Sequence, residues 1–418
     1  MEWKKLELLV TNNCNFDCKY CYVKKNSKDM TFKIAKTAID YHFKDIDPQK
    51  YGYVITFLGG EPLLKYRLIK KIIRYCEEIA QKHKIRIWYQ LTTNGSLLTE
   101  EQCKYFKTLP FQLTLSVDGD KEMHDISRIS KSGHSTYDIV KNKFKLFQKY
   151  FPERSPNMVV SPYNVHRLNE GIQYLHEQGF EHINANYSMT GGDFWDKEKL
   201  KICDEELKKV CKFIKEKTTE GKKIQISRIH KIVFNHALNK KNAKYLCHAT
   251  RKGMTVGANG KIYLCHRFLN MDESCQYKNK QNDFIFGEVT DEVNVNEDKE
   301  KMHLLLKKQT TENLYSECKE CKYYELCEPP CFWINYMNNN GDFLKLDNQY
   351  CKHYKLIIKN SLKLYEDLKK ENLLDQYLAN FGVVLPKKAK PTISKKTSQA
   401  HKQFAEALAK AKNKKIKG

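Results

Sequence analysis

Cys14-Asn15-Phe16-Asp17-Cys18-Lys19-Tyr20-Cys21-Tyr22 sets three thiols in the spacing C-x3-C-x2-C, directly after an apolar stretch, Leu6 to Val10, that reads as a strand. Three thiolates hold three irons of a [4Fe-4S] cluster, whose four corners are normally all filled by cysteine. No fourth cysteine lies near this compact loop, so one iron is left open to a chelating small molecule. A zinc knuckle or scattered buried cysteines are the plainer readings of the loop by itself.

Outward from the loop, helical and strand patterns alternate. Phe32 to Phe43 reads as a helix and Val54-Ile55-Thr56-Phe57 as a strand, and Leu68, Ile69, Ile72, Ile73, Cys76 and Ile79 recur at helical spacing. Ile85, Ile87, Tyr89 and Leu91 alternate as a strand; Glu100 to Phe106 predicts a helix, Phe111 to Val117 a strand, and Ser135 to Tyr150 one long helix. Met158 to Ser161 and His182 to Tyr187 add two strands around a helix from Val165 to Gln178 that Gly179 caps. Six β/α units predict an α/β fold with a parallel sheet and right-handed crossovers, a partial (β/α)6 TIM-type barrel short of the eight units that close. Ligands of such folds sit at the C-terminal ends of the strands.

Unusual residues stand at those ends. Gly59-Gly60-Glu61-Pro62 follows the second strand, where glycines let backbone approach a ligand and exposed carbonyls, with Glu61 nearby, accept from an ammonium group. The third strand ends in Thr92-Thr93-Asn94-Gly95 and the fourth in Ser116-Val117-Asp118-Gly119, with Arg128 beyond. Singly, each is an ordinary turn former or surface charge. Together, C-x3-C-x2-C and the Gly-Gly-Glu-Pro run resemble the radical S-adenosylmethionine superfamily. The resemblance implies that the cofactor's amino and carboxylate groups occupy the open iron. It also implies a cofactor pocket of Tyr20, Gly59, Gly60, Glu61, Asn94, Ser116, Asp118 and Arg128, with Ser116 and Asp118 on ribose hydroxyls and Arg128 on the methionine carboxylate.

A second cysteine constellation starts at Cys247. Met254 to Val256 and Lys261 to Cys265 predict a hairpin around Ala258-Asn259-Gly260, which draws Cys247 toward Cys265. Cys318, Cys321, Cys327 and Cys331 follow in the spacing C-x2-C-x5-C-x3-C, and then Cys351. This order resembles the SPASM extension, which carries two auxiliary [4Fe-4S] clusters and so brings the total to three. The resemblance gives Cys318, Cys321, Cys327 and Cys351 to the distal cluster, and Cys247, Cys265 and Cys331 to the one nearer the active site. The fourth ligand of the latter is either Cys275 or an open iron that takes substrate. One tetrahedral zinc site built from C-x2-C and C-x3-C is the rival reading. Cys76, Cys103, Cys203 and Cys211 read as buried structural thiols.

Composition frames these motifs. At 418 residues the chain is long enough for two or three domains. We expect a barrel over residues 1–220, the auxiliary-cluster domain over 221–357, a helical segment over 358–385 and a Lys-rich, disordered tail over 386–418. No apolar run is long enough to cross a bilayer and the start, Met1-Glu2-Trp3-Lys4-Lys5, lacks a signal segment, so a cytoplasmic location is expected. Fifteen cysteines in that reducing compartment argue for metal ligation over disulfides. The net charge of +24 is spread over almost every helix, without an Arg-rich strip, which argues against nucleic acid. An acidic leader or precursor peptide is the partner that the tail's sign suggests, and Gln399 to Lys412 has the pattern of an amphipathic helix.

The resemblance implies an enzyme in which a cofactor-derived radical removes hydrogen from a peptide or protein side chain. The first reading is a maturase that forms thioether or C–C crosslinks in a ribosomally made precursor peptide. An electron donor such as flavodoxin or ferredoxin is implied, and, with no leader-recognition domain expected before Leu6, the leader is expected to be bound by a separate leader-binding protein, by the basic surface, or weakly. The near rival is an anaerobic sulfatase-maturating enzyme, which oxidises Cys or Ser to formylglycine. That branch carries a basic aspartate after the cysteine of its G-x4-C element, where this chain has His266, either a base or a bystander. Another class altogether is a noncatalytic iron-sulfur or zinc protein that binds an acidic or RNA partner. Substrate is expected near Asn164, Asn186, Tyr187 and the Gly191-Gly192 loop.

Overall fold

The computed structural model describes residues 2–189, 195–241, 253–269, 284–307, 309–328, 331–342 and 344–382. Cys247, Cys275, Gly191, Gly192 and the tail from 386 lie outside the described residues. The chain divides into two compact units, residues 1–377 and 378–418. Of the second, residues 378–382 are described.

The first unit begins with alternating elements: β1 (Glu2–Thr11), α1 (Phe32–His42), β2 (Tyr51–Gly59), α2 (Tyr66–His83), β3 (Ile87–Thr93), α3 (Glu100–Lys107) and β4 (Phe111–Leu115). Then come α4 (Lys121–Ser127), α5 (Tyr137–Lys141), α6 (Phe144–Tyr150), β5 (Asn157–Val160), α7 (Leu168–Glu177) and β6 (His182–Tyr187). All six expected strands are present and parallel. β1 to β4 pair in order, a single parallel bridge from Ser116 to Asn157 joins β4 to β5, and β5 pairs with β6. Among the described residues β6 does not pair back onto β1, as a partial barrel requires. β1 from Leu6 to Thr11 and β2 from Tyr51 to Phe57 are buried on both faces, whereas β3 and β4 alternate and turn Tyr89 and Leu91, and Leu113 and Leu115, into the core. Ile69, Ile72, Ile73 and Cys76, one stripe of α2, cover them from outside.

The expected long helix from Ser135 to Tyr150 is two short ones. At the junction the ladder tightens, Lys143 N–H bonding the Val140 carbonyl at 2.9 Å, and Phe144 and Phe147 of the second helix are buried in the core. The helix after β5 opens with a tight turn over Val165–Arg167, and Gly179 ends it at φ +89°, the left-handed cap its position predicted.

Beyond the six units, α8 (Lys197–Thr219), β7 (Gln225–Ile226) and α9 (Ser227–Ala237) follow; β7, two residues long, pairs with β6. Next, β8 (Gly253–Val256) and β9 (Lys261–Tyr263) form the expected hairpin, with Gly260 at φ +82° in its turn. β8 also pairs in parallel with β1, so the hairpin, extended by β10 (Ile285–Val289) and β11 (Val293–Val295), continues the barrel sheet. Helices α10 (Glu297–Lys307), α11 (Thr311–Leu314), α12 (Phe332–Asn338), α13 (Asn348–Lys370) and α14 (Leu374–Ala379) complete the order. Among the described residues no helix is long and apolar enough to cross a membrane.

Candidate active site at the strand ends

The cysteine loop leaves β1 and is closed at its base by Met30 N–H to the Val10 carbonyl (3.0 Å) and Asn12 N–H to the Lys28 carbonyl (2.9 Å). Buried Phe16 anchors its middle, and Asp17 N–H to the Ile129 carbonyl (2.7 Å) and Lys19 N–H to the Ser127 carbonyl (2.9 Å) dock it on the last residue of α4 and the segment beyond. Cys14 is buried, Cys18 half-buried and Cys21 exposed. Burial pushes the Cys18 thiol up to about 12; Arg128 opposes that shift, while Cys21 and Cys14 add to it as neighbouring negative charges. Three thiols that would repel one another as thiolates fit a cationic iron core that neutralises them. Among the described residues, no three His, Cys, Asp or Glu side chains converge tightly enough to surround a single metal ion.

Gly60 fits against this loop because it has no side chain. A Cβ there would lie 2.3 Å from the Asn13 carbonyl oxygen and 2.8 Å from Cys14 Cβ. Two bonds fasten the contact: Gly60 N–H to the Thr11 carbonyl and Glu61 N–H to the Asn13 carbonyl, both 2.9 Å. The glycine that the sequence suggested for ligand approach thus admits the cysteine loop itself. Glu61 is 1% exposed; one carboxylate oxygen accepts from Leu63 N–H (2.9 Å) and Thr93 Oγ1 (2.7 Å), the other from Asn94 N–H (2.8 Å). Burial raises its carboxyl to about 7, and those three donors hold it back from rising further. Glu61 therefore ties the end of β2 to the end of β3. Asn94 extends the tie: its amide donates to Asn15 Oδ1 (2.9 Å), and its carbonyl accepts from Ser96 N–H (2.9 Å).

At the end of β4, Asp118 is fully buried. Its Oδ1 accepts from Val159 N–H (2.8 Å) and lies 2.9 Å from Arg128 Nε, while Oδ2 accepts from the Tyr20 hydroxyl. Burial raises the Asp118 carboxyl against the pull of Arg128. Burial also costs the Arg128 cation hydration, but Asp118 and Tyr20 more than restore it and hold the guanidinium above its usual range. Arg128 lies 5.4 Å from the Tyr20 ring centre, so Tyr20, Asp118 and Arg128 form one cluster beside Cys18. Ser116, at the same strand end, donates its N–H to the Thr93 carbonyl at 2.9 Å. Asn164 is buried with both ends of its amide engaged by Ser161 N–H and the Val159 carbonyl; it shapes the turn after β5. Asn186 donates to Asn157, and Tyr187 packs 4.3 Å from the His353 ring.

The later cysteines fall into two groups. Cys265 and Cys331 border one apolar cluster built on Phe268, Phe284, Trp333 and Tyr336; Cys318 and Cys351 border another, built on Tyr315, Phe332 and Leu346. Phe332 and Trp333 are neighbours on α12, about 100° apart around the helix, so that helix divides the groups. Burial raises the Cys327 thiol to about 12, with Cys351, Cys318 and Cys321 adding to it; burial raises Cys265 to about 12, with Cys331 adding to it. His266 Nδ1 lies 3.1 Å from Glu7 on β1, a partner the sequence reading missed. Glu7 also accepts from Thr255 (2.8 Å) and pairs with Lys5 (2.7 Å). Against the cost of burial, His266 and Lys5 hold its carboxyl below the usual carboxylate range.

The family described as the radical SAM superfamily matches residues 8–175. A cysteine-type anaerobic sulfatase-maturating enzyme of Clostridium perfringens is 25% identical over 378 residues, covering 84% of this chain and 94% of its own. An uncharacterized protein of Methanocaldococcus jannaschii is 39% identical over 183 residues, 43% of this chain, and this chain spans 61% of that relative. The solved structure of native anSMEcpe with bound AdoMet and Cp18Cys peptide shares the fold, with a TM-score of 0.69 at 21% identity over 88% of this chain and 99% of that one. Residues 8–175 of this chain therefore match the radical SAM superfamily, and over most of its length the chain is similar to an anaerobic sulfatase-maturating enzyme.

Proposed function

We propose that this chain is a cytoplasmic enzyme that removes hydrogen from a side chain of a ribosomally made peptide and joins the modified position in a thioether or C–C crosslink. One observation carries the reading: the C-x3-C-x2-C loop is fastened by Gly60 and Glu61 to the strand ends that also bear Asn94, Ser116 and the Asp118–Arg128 pair. Cys14, Cys18 and Cys21 would hold the first [4Fe-4S] cluster, and Tyr20, Gly59, Gly60, Glu61, Asn94, Ser116, Asp118 and Arg128 would surround S-adenosyl-L-methionine. When bound and reduced, that cluster and S-adenosyl-L-methionine supply a 5'-deoxyadenosyl radical.

The chain's own residues bind, orient and exclude water. Glu61 and Asp118 are engaged by internal donors, so their part is to hold the pocket's frame, and the carbonyls of Gly59 and Gly60 would meet the ammonium. Asp118 fixes the Arg128 cation, the group suited to a carboxylate. Cys318, Cys321, Cys327 and Cys351 would hold a distal auxiliary cluster, and Cys247, Cys265 and Cys331, with Cys275 or substrate, a second. The thiol groupings support that division. Flavodoxin or ferredoxin would deliver the electron.

The likeness to a sulfatase-maturating enzyme over 94% of that enzyme's length favours a second reading, oxidation of Cys or Ser to formylglycine. His266, held by Glu7, would then stand where that branch has its aspartate. To separate them, the anaerobically reconstituted protein is incubated with a cysteine-rich peptide encoded beside its gene and with a sulfatase peptide, and the products are weighed by mass spectrometry. Loss of hydrogen with a new crosslink supports the first reading, and exchange of sulfur for an aldehyde oxygen the second. No S-adenosyl-L-methionine cleavage with either would return the chain to the noncatalytic class.

A further inference from the structure

Tyr22, Arg267 and Trp333 meet where the cysteine loop approaches the second constellation. The guanidinium carbon of Arg267 lies 4.6 Å from the centre of the Tyr22 ring and 5.2 Å from that of Trp333, and the two rings meet edge-on at 6.2 Å. In sequence, Tyr22 follows Cys21, Arg267 stands two after Cys265, and Trp333 stands two after Cys331. Tyr22, Cys265 and Cys331 all border the apolar cluster that contains Trp333. Glu7, whose charge acts on Tyr22 and Cys265, is already matched by Lys5 at 2.7 Å and His266 at 3.1 Å. An arginine held against two aromatic rings keeps its charge in a fixed, partly dehydrated place, where its field on a neighbouring group is stronger than in water.

We infer that Arg267 is a positioning residue whose clamped positive charge raises the reduction potential of the auxiliary cluster held by Cys265 and Cys331. The inference rests on the reading that these cysteines bind a cluster. Potentials of iron-sulfur clusters follow net charge, hydrogen bonds to sulfur and exposure, so an electron added beside a fixed cation is stabilised. A change of the Arg267 side chain leaves its backbone N–H, two residues from Cys265, in place. The side-chain charge can therefore be tested by itself.

The test is an anaerobic potentiometric titration of the reconstituted full chain, followed by electron paramagnetic resonance, with iron and sulfide counted on the same samples. Arg267→Met is expected to shift one cluster's potential downward and leave the others in place, and Arg267→Lys to stay near the native value. Should Arg267→Met lose iron, Tyr22→Leu, which leaves the charge but opens the clamp, is expected to lower the same single potential. Full iron with unmoved potentials in the variant that retains its clusters overturns this inference alone. Iron for only one cluster in the native protein overturns it together with the auxiliary-cluster reading.

Discussion

Replacing Gly60 by alanine tests how the cysteine loop is held. The added Cβ would lie 2.3 Å from the Asn13 carbonyl oxygen, 2.6 Å from its carbon and 2.8 Å from Cys14 Cβ. Two of these three atoms are backbone, so no rotamer change relieves the clash; the loop must lift from β2. Overpacking of this kind costs about 1–3 kcal/mol. Lifting also stretches the bonds from Gly60 N–H to Thr11 and from Glu61 N–H to Asn13, each worth about 1 kcal/mol, so the total is about 3–5 kcal/mol. Gly253→Ala is the control, because its Cβ would meet nothing closer than the Lys5 carbonyl at 3.5 Å; its expected effect is within about 0.5 kcal/mol. Urea denaturation and iron content after anaerobic reconstitution read both effects. Gly60→Ala should lose stability and most of the iron bound by the first loop. Native stability with native iron would refute the claim that Gly60 is there to admit the loop.

Glu61→Gln puts an amide N–H₂ where three donors now converge, and should cost about 1–3 kcal/mol in stability and weaken S-adenosyl-L-methionine binding by calorimetry, with iron retained. Asp118→Asn leaves the Arg128 cation buried without its counter-charge and should destabilise by about 3–5 kcal/mol, and the double variant Asp118→Asn/Arg128→Met should recover part of that loss in urea melts. Buried His42 is held neutral, its value lowered by burial from 6.5 to about 3. Its contribution is complete above 6.5 and falls as pH drops, because the unfolded chain takes up the proton first; at pH 5 the loss is about 2 kcal/mol. His230, lowered by burial to about 4, acts in the same direction. His42→Gln should flatten the decline in stability between pH 7 and pH 5, and an unchanged slope would contradict the assignment.

The six strands and their order were legible because buried parallel strands leave short apolar runs between helical patterns, and the residues at their ends were legible as turn formers out of place. What was not legible depends on contacts between distant segments. β7 is too short to leave a pattern, and the pairing of β8 with β1 joins residues far apart in sequence. Nothing in the sequence marks Glu7 on the first strand; the pairing of β8 with β1 brings Thr255 and His266 to it. Glu61 and Asp118 read as groups free for a ligand, because sequence gives residue type and place but not which backbone N–H groups converge on a carboxylate. The break at Asn142–Lys143 was hidden because the apolar residues on both sides keep helical spacing. The stack of Arg267 between Tyr22 and Trp333 likewise joins three segments that carry no common motif.

The most direct measurement of the central claim is 5'-deoxyadenosine formed from S-adenosyl-L-methionine by the anaerobically reconstituted, chemically reduced protein, with iron determined on the same sample. We predict about twelve irons per chain, formation of 5'-deoxyadenosine, and its loss in Cys21→Ala while the auxiliary iron stays. A native protein that carries its full iron and yields none, or a Cys21→Ala variant that yields as much as the native chain, would contradict it.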